Sequence, residues 1–587
     1  MSGGPLSKPL DARASRTRVW AKGCKGLALL LVALAVLERL TVVAHAPPTT
    51  FDDAYTYLRY ARHWLAGGGL AWNLGEGPVY GVTSLLHLAL VTAVAGAWPA
   101  LPAWRVLQVA SGTAAIALLA ALAAMLAGSS RHGRLRSNLT LWSAVVVVTL
   151  AFPEAFVFHA TTGMDTMLAA LANTALVFCS LELAAEPSLA RVALVLGTAT
   201  VALLARPENV ICATLCPALA LLLLGPSQAR GPIRAGARPA GRRLRNRVRW
   251  VASYWAAWTA VVVMLGFAAA HWLGSPVPLS FFAKQPHFYA GFAGELGWNP
   301  FRFLVVFLQS IWPFLLALVL FGDRVIWRLA SALLGPALLT IALLFHFNQI
   351  MGHLGRFYYP MLPFFVAAGG LTCDRWLVRR GWALRRRALC LRVGLAILIV
   401  LGLRAGLTVA ADHYDGRDDG RAAAQDLPAL ASQAFAGTGL PPLPDLDSWQ
   451  AAHWVARLAV AAPAGTTFAM SEHGLPGALA PQIKIIDVLG LHDPWFARHG
   501  FSVSELFRRQ PDVIWLPHPD HAEMLRLILT SAELAAHYDF YPDAFYYGLA
   551  LRREGQHASR LAALLGEVWR AAYPGFPMAD YRARGGD

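Results

Sequence analysis

Charge is scarce in this chain: 14% of its 587 residues are Asp, Glu, Lys or Arg, where a soluble domain carries roughly a quarter. Hydrophobic residues make up 57% and mean hydropathy is +0.48, which excludes an ordinary soluble protein. Cysteine is equally sparse. The six, at 24, 179, 212, 216, 373 and 390, lie in or beside apolar segments, so neither a disulfide framework nor a zinc site is indicated. There is no P-loop and no GxGxxG following a strand, so no nucleotide pocket is expected. The internal repeats and paired broken helices that mark many transporters are also missing, which counts against a transporter or flippase of lipid-linked sugars, the competing reading.

What the chain has instead is a series of apolar runs close to the roughly 20 residues needed to cross hydrocarbon. Candidate spans are 27–46, 105–127, 139–158, 165–185, 190–205, 208–224, 251–272, 301–320, 327–346, 357–372 and 389–411. The net charge of +16 suggests a nucleic-acid partner only until the arginines are located. They sit in short loops, at 131–136, 230–249, around Arg324 and Arg328, and at 375–387, where they act as topology signals and imply no nucleic acid. Holding those loops in the cytoplasm fixes the parity. The basic N-terminus (1–26) is then cytoplasmic, and the 47–104 loop and everything after 412 lie outside. The stretch 82–98 cannot cross without inverting every later loop, so a juxtamembrane or re-entrant helix is expected there. The retained first span and this count predict a multi-pass membrane protein with about 11 transmembrane helices over 27–411.

The same parity gathers polar residues on the outer face. Asp52 and Asp53 follow the first span at the start of an amphipathic helix, expected to lie on the membrane surface, with Tyr55, Leu58, Ala61, Arg62 and Leu65 at helical spacing. Asp165 opens a span, Arg206 and Glu208 form a tight RPE turn, Lys284 lies in the 273–300 loop, and His353 and Arg356 stand in GHLGRFYYP. Ionisable groups at membrane depth are costly unless they have a task or a partner. Each has a plain alternative: Arg206 and Glu208 pairing with each other, Asp165 capping its span, Arg356 snorkelling. Those alternatives give no reason for segregation to one face. A carboxylate there can take a proton from a hydroxyl, and neighbouring cations can neutralise a phosphate leaving group. This combination suits sugar transfer from a lipid-linked phosphosugar.

These residues, together with the YTYLRY helix, GGGLAWNLGEGPVYGVTSLLHL, TTGMDT and the IIDVLGLHD stretch, resemble the GT-C superfamily of polyprenyl-phosphosugar-dependent glycosyltransferases. Within it the chain is similar to the terminal arabinofuranosyltransferase family of actinobacterial cell walls and its relatives. Val79 stands where that family has an acidic residue, and Asp165 where glutamate is more usual. The resemblance implies two juxtamembrane helices in the first outer loop and an aspartate of that loop, Asp52 or Asp53, as the catalytic base. It implies a donor phosphate clamp of Lys284, Arg356 and Tyr359, and supporting or acceptor-side roles for Asp165, Arg206, Glu208, Tyr57, Tyr80, Thr83, His353 and Asp487. The implied partners are a polyprenyl-phosphate sugar donor, with arabinofuranose favoured, an envelope glycan, lipid or protein acceptor, and the lipid bilayer. No cofactor is firmly predicted, since some superfamily members use a divalent metal, and the implied location is a bacterial inner (cytoplasmic) membrane.

Beyond Asp412 the composition changes. Pro, Asp and Gly rise over 412–447, which reads as a linker. Then a helix after Ser448, the strands TTFAM, KIIDVLGL and PDVIWL, a helix from His521 to Ser531, and FYYGLALRR predict a small extracytoplasmic α/β domain over 448–587. Asp487, inside an apolar strand, needs a partner. His518, Asp520 and His521 lack a fourth ligand at fixed spacing and read as a surface loop.

Overall fold

The computed structural model of the chain describes residues 46–129, 153–224, 240–285, 299–345, 352–380 and 442–583, with a few isolated positions besides. The expected spans 27–46 and 389–411, most of 139–158 and nearly all of the 412–447 linker lie outside them. The described chain is mostly helical, with a small C-terminal sheet.

The first loop forms α1 (Asp52–Leu65) and α2 (Leu85–Ala97), followed by α3 (Ala103–Ser129), α4 (Glu154–Thr161), α5 (Thr166–Ala185), α6 (Leu189–Ala205), α7 (Val210–Leu223), α8 (Ala240–Leu273), α9 (Asn299–Phe321), α10 (Arg324–Leu344) and α11 (Leu362–Arg380). Among the described residues, five of these helices, α3, α5, α8, α9 and α10, are long and apolar enough to cross a membrane. Only 6% of the apolar stretch of α8 is buried, and it presents Val263, Met264, Phe267 and Trp272 outward. An apolar helix left that bare fits a lipid surrounding and suggests membrane association. The expectation of about 11 spans is met only in this coarser form. At 13 residues, α2 rises about 20 Å and, like α6 and α7, is a shorter apolar helix.

The C-terminal unit opens with α12 (Ser448–Ala461), capped by a reciprocal box between Asp447 and Gln450. Its sheet has the order β2-β1-β3-β5-β4, from β1 (Thr467–Met470), β2 (Lys484–Asp487), β3 (Val513–Trp515), β4 (Tyr538–Tyr541) and β5 (Leu549–Arg552). The first three strands are parallel, with Phe468 opposite Ile485 and Val513, and β5 runs antiparallel to β3. A parallel pair needs a crossover, and the short helix α13 (Gly474–Leu479) lies in the one from β1 to β2. Because the three strands run the same way, their carboxyl ends open at one edge. Glu472 and His473 follow β1 there, Asp487 ends β2, and His518 and Asp520 follow β3.

That edge meets α1. The expected membrane-surface helix is instead enclosed: ten of its residues, from Asp52 to His63, are buried. The Asp52 carboxylate accepts the backbone N–H groups of Gly474 (2.7 Å) and Leu475 (2.8 Å) at the start of α13. Seven residues on, Arg59 donates to the carbonyls of Gly477 (2.8 Å), Ala480 (3.3 Å) and Ile483 (2.9 Å) at its far end. Two helical turns span about 10.5 Å, which matches the length of α13, so an acid stands at its amino end and a guanidinium at its carboxyl end. Gly474 and Gly477 make this approach possible: a Cβ at Gly474 would run into the Asp52 carbonyl oxygen, and one at Gly477 would stand 3.1 Å from Arg59 Cδ. Gly474→Ala is therefore expected to destabilise the junction by about 1–3 kcal/mol, read as a lower melting temperature of the detergent-solubilised protein.

Candidate functional site

The ends of α5, α6, α7 and α11 converge beneath α1 and bring the scattered charges together. Asp53, the neighbour of Asp52, is turned about 100° from it around α1 and faces the other way, toward the helical body. Its Oδ2 lies 3.0 Å from Arg356 Nη1. Asp165 Oδ2 lies 3.1 Å from Arg206 Nε, and Arg206 Nη1 lies 3.1 Å from Glu208 Oε1. The Tyr57 hydroxyl is 3.4 Å from Asp165 Oδ2 and 3.3 Å from Thr83 Oγ1. Three cations share one ring: Arg206 (5.4 Å), Arg356 (5.5 Å) and Lys284 (5.8 Å) all stand over Phe357. Arg206 and Arg356 are buried, so their charge is screened little by water.

Electrostatics separates the two adjacent aspartates. Burial raises the Asp52 carboxyl, and His473 and the two backbone N–H groups only partly oppose it. Burial would raise Asp53 as well, but Arg356 and then Lys284 outweigh it and bring the carboxyl below its ordinary value of 3.8. Asp53 is thus an ionised carboxylate among cations, and Asp52 is a clasp for α13. Lys284 is lowered by its burial, with Asp53 pulling the other way.

Beside this group opens a cleft of about 990 Å³. Its walls are apolar, with Leu203, Ile211 and Val262 among them, and Tyr80, Thr83, Glu208, Lys284 and Phe357 also line it. One polar end on an apolar trough is the shape that an amphiphile with a charged head requires.

Not every expected residue joins the group. Tyr359 is fully buried, its hydroxyl has no hydrogen-bond partner among the described residues, and its ring packs on His159 (4.6 Å) and Phe307 (6.4 Å), so the structure gives it a place in the helical core. His353 is exposed and meets Phe51 and Phe303 edge-on. Asp487 lies in a second cluster within the C-terminal unit. Its Oδ1 is 3.3 Å from His473 Nε2, and it accepts N–H groups from Leu489 (2.9 Å) and His492 (2.6 Å). His518 and Asp520 pair with each other at 3.4 Å in the loop after β3, but His521, expected on the same surface loop, is buried.

Four residues of the junction escape a reading of the sequence: Phe357, Arg59, Glu472 and His473. Glu472 is pushed up to about 8 by burial and by Asp52, and it also feels Asp53. The signal for Glu472 and His473 was their position directly after the first parallel strand, the edge where open α/β sheets bind ligands. Comparison with protein-family models and with curated proteins finds no match to the chain.

Proposed function

We propose that the chain is a membrane-embedded GT-C-type glycosyltransferase that moves a sugar from a polyprenyl-phosphate donor to an envelope glycan, lipid or protein at the extracytoplasmic face. The observation that carries this reading is the Asp53–Arg356 pair within a ring of cations at the polar end of an apolar cleft. The prenyl chain occupies the cleft, and Lys284 with the two arginines receives the phosphate. Arg356 then exchanges its contact with Asp53 for one with the donor, and Asp53, relieved of its main counter-charge, becomes more basic. It takes the proton of the acceptor hydroxyl as that oxygen bonds to the anomeric carbon. The bond from that carbon to the phosphate oxygen breaks, and polyprenyl phosphate leaves with the electron pair. Arabinofuranose is the sugar favoured by the resemblance.

The test supplies a radiolabelled polyprenyl-phosphosugar to membranes that contain the chain. Release of free polyprenyl phosphate together with a labelled product supports the reading. Movement of intact donor across the bilayer without cleavage favours a flippase and overturns it. The cleft makes a further prediction: Ala268→Trp or Ala269→Trp, which fills its wall, raises KM for a long-chain donor about tenfold and leaves a short-chain water-soluble donor unaffected. Equal effects on both donors would remove the cleft from the mechanism.

A further inference from the structure

We infer that His473, Asp487 and His492 form a binding site for a divalent transition ion, zinc by the chemistry of its donors. One ligand atom from each side chain lies within 4.8 Å of the others. The three are buried, at 2%, 0% and 4% exposure. His473 Nε2 stands 3.3 Å from Asp487 Oδ1, yet among the described residues neither ring nitrogen of His473 makes a well-aligned hydrogen bond. Donors that converge on a third point have this geometry, because tetrahedral bonds of about 2.0–2.1 Å place the ligand atoms roughly 3.3–3.4 Å apart. A buried imidazole whose Nδ1 has no partner among the described residues and whose Nε2 meets only a poorly aligned carboxylate is costly, and an ion at the point of convergence removes that cost.

The surroundings are those of a held ligand set. Two backbone N–H groups fix the Asp487 carboxylate. His492 Nδ1 is 3.2 Å from the Tyr60 hydroxyl, and its ring stacks on Trp72 at 4.1 Å and 14°. Such outer contacts orient metal ligands. Two imidazoles and one carboxylate select zinc over magnesium or calcium, which take oxygen donors. All three ligands belong to the C-terminal unit, and the ion would fix the His492 ring against which Tyr60 and Trp72 of the first loop pack. The site needs no sugar donor and stands whether or not the transferase reading holds.

The full chain, purified in detergent with a histidine-free affinity tag, is incubated with zinc, desalted and assayed by elemental analysis. About one zinc per chain is expected, falling below about a tenth in His473→Ala and in His492→Ala, while His518→Ala binds as the parent does. Loading with cobalt(II) guards against variants that fail to fold, because a four-coordinate site in the parent gives intense visible absorption that excess zinc abolishes. Less than about a tenth of an equivalent in the parent, a cobalt spectrum of the aqueous octahedral ion, or unchanged zinc in both histidine variants overturns the site.

Discussion

Asp53→Asn is expected to lower sugar transfer by about 10²–10⁴-fold, the contribution of a positioned general base, whereas Asp52→Asn keeps transfer within a few-fold of the parent. The division follows from a single residue step, about 100° around α1. Asp53 faces Arg356 at 3.0 Å and is held ionised by it and Lys284. Asp52 faces away and receives two N–H groups of α13. An asparagine at 52 offers one oxygen in place of two and turns an amide toward the second donor, which costs about 1–3 kcal/mol of stability. Transfer assays on membranes, normalised to the amount of protein, together with melting curves of the two variants, give the answer. Full transfer by Asp53→Asn, or loss of transfer without loss of stability in Asp52→Asn, would reverse the assignment.

Arg59→Met is expected to cost about 3–5 kcal/mol and to release the C-terminal unit from α1. The guanidinium is fully buried and donates to five acceptors, the carbonyls of Trp72, Gly477, Ala480 and Ile483 and the side chain of Asn73. Its removal leaves buried carbonyls without a donor. Arg59→Lys should rescue little, since an ammonium has three donors on a flexible stem and cannot span the same fork of acceptors. Limited trypsin digestion of the solubilised protein reads the effect: rapid cleavage within 442–583 in both variants and slow cleavage in the parent. Equal resistance in all three would show that Arg59 is not the tie.

Much of this arrangement was legible in the residues. Asp165 with Arg206, and Asp53 with Arg356, were expected on one face because charge at membrane depth needs a reason. The choice between Asp52 and Asp53 was not legible, because neighbours on a helix differ only in direction, and that direction is set by Gly474 and Leu475, more than 400 residues away. The same distance explains why α1 reads as a surface helix: its polar face carries Arg59 and His63, which reach, besides neighbours in the first loop, the distant carbonyls of Gly477, Ala480, Pro481 and Ile483. The resemblance places Tyr359 with Arg356 in the phosphate clamp, but the side chain that opens the three-residue 3₁₀ turn Tyr359–Met361 is buried in the helical core. Strand β4 was missed because Asp539 interrupts a short apolar run, and its pairing with β5 supplies what local pattern does not.

The tie between Arg59 and Gly477 bridges 418 positions of the polymer. Translation produces α1 early and its acceptors late, so the helix bearing Asp53 must wait, its buried arginine still hydrated, until the last quarter of the polypeptide has emerged and condensed. A nascent or truncated product that ends before residue 442 would hold every one of the clustered charges and still lack the surface against which they are set in place.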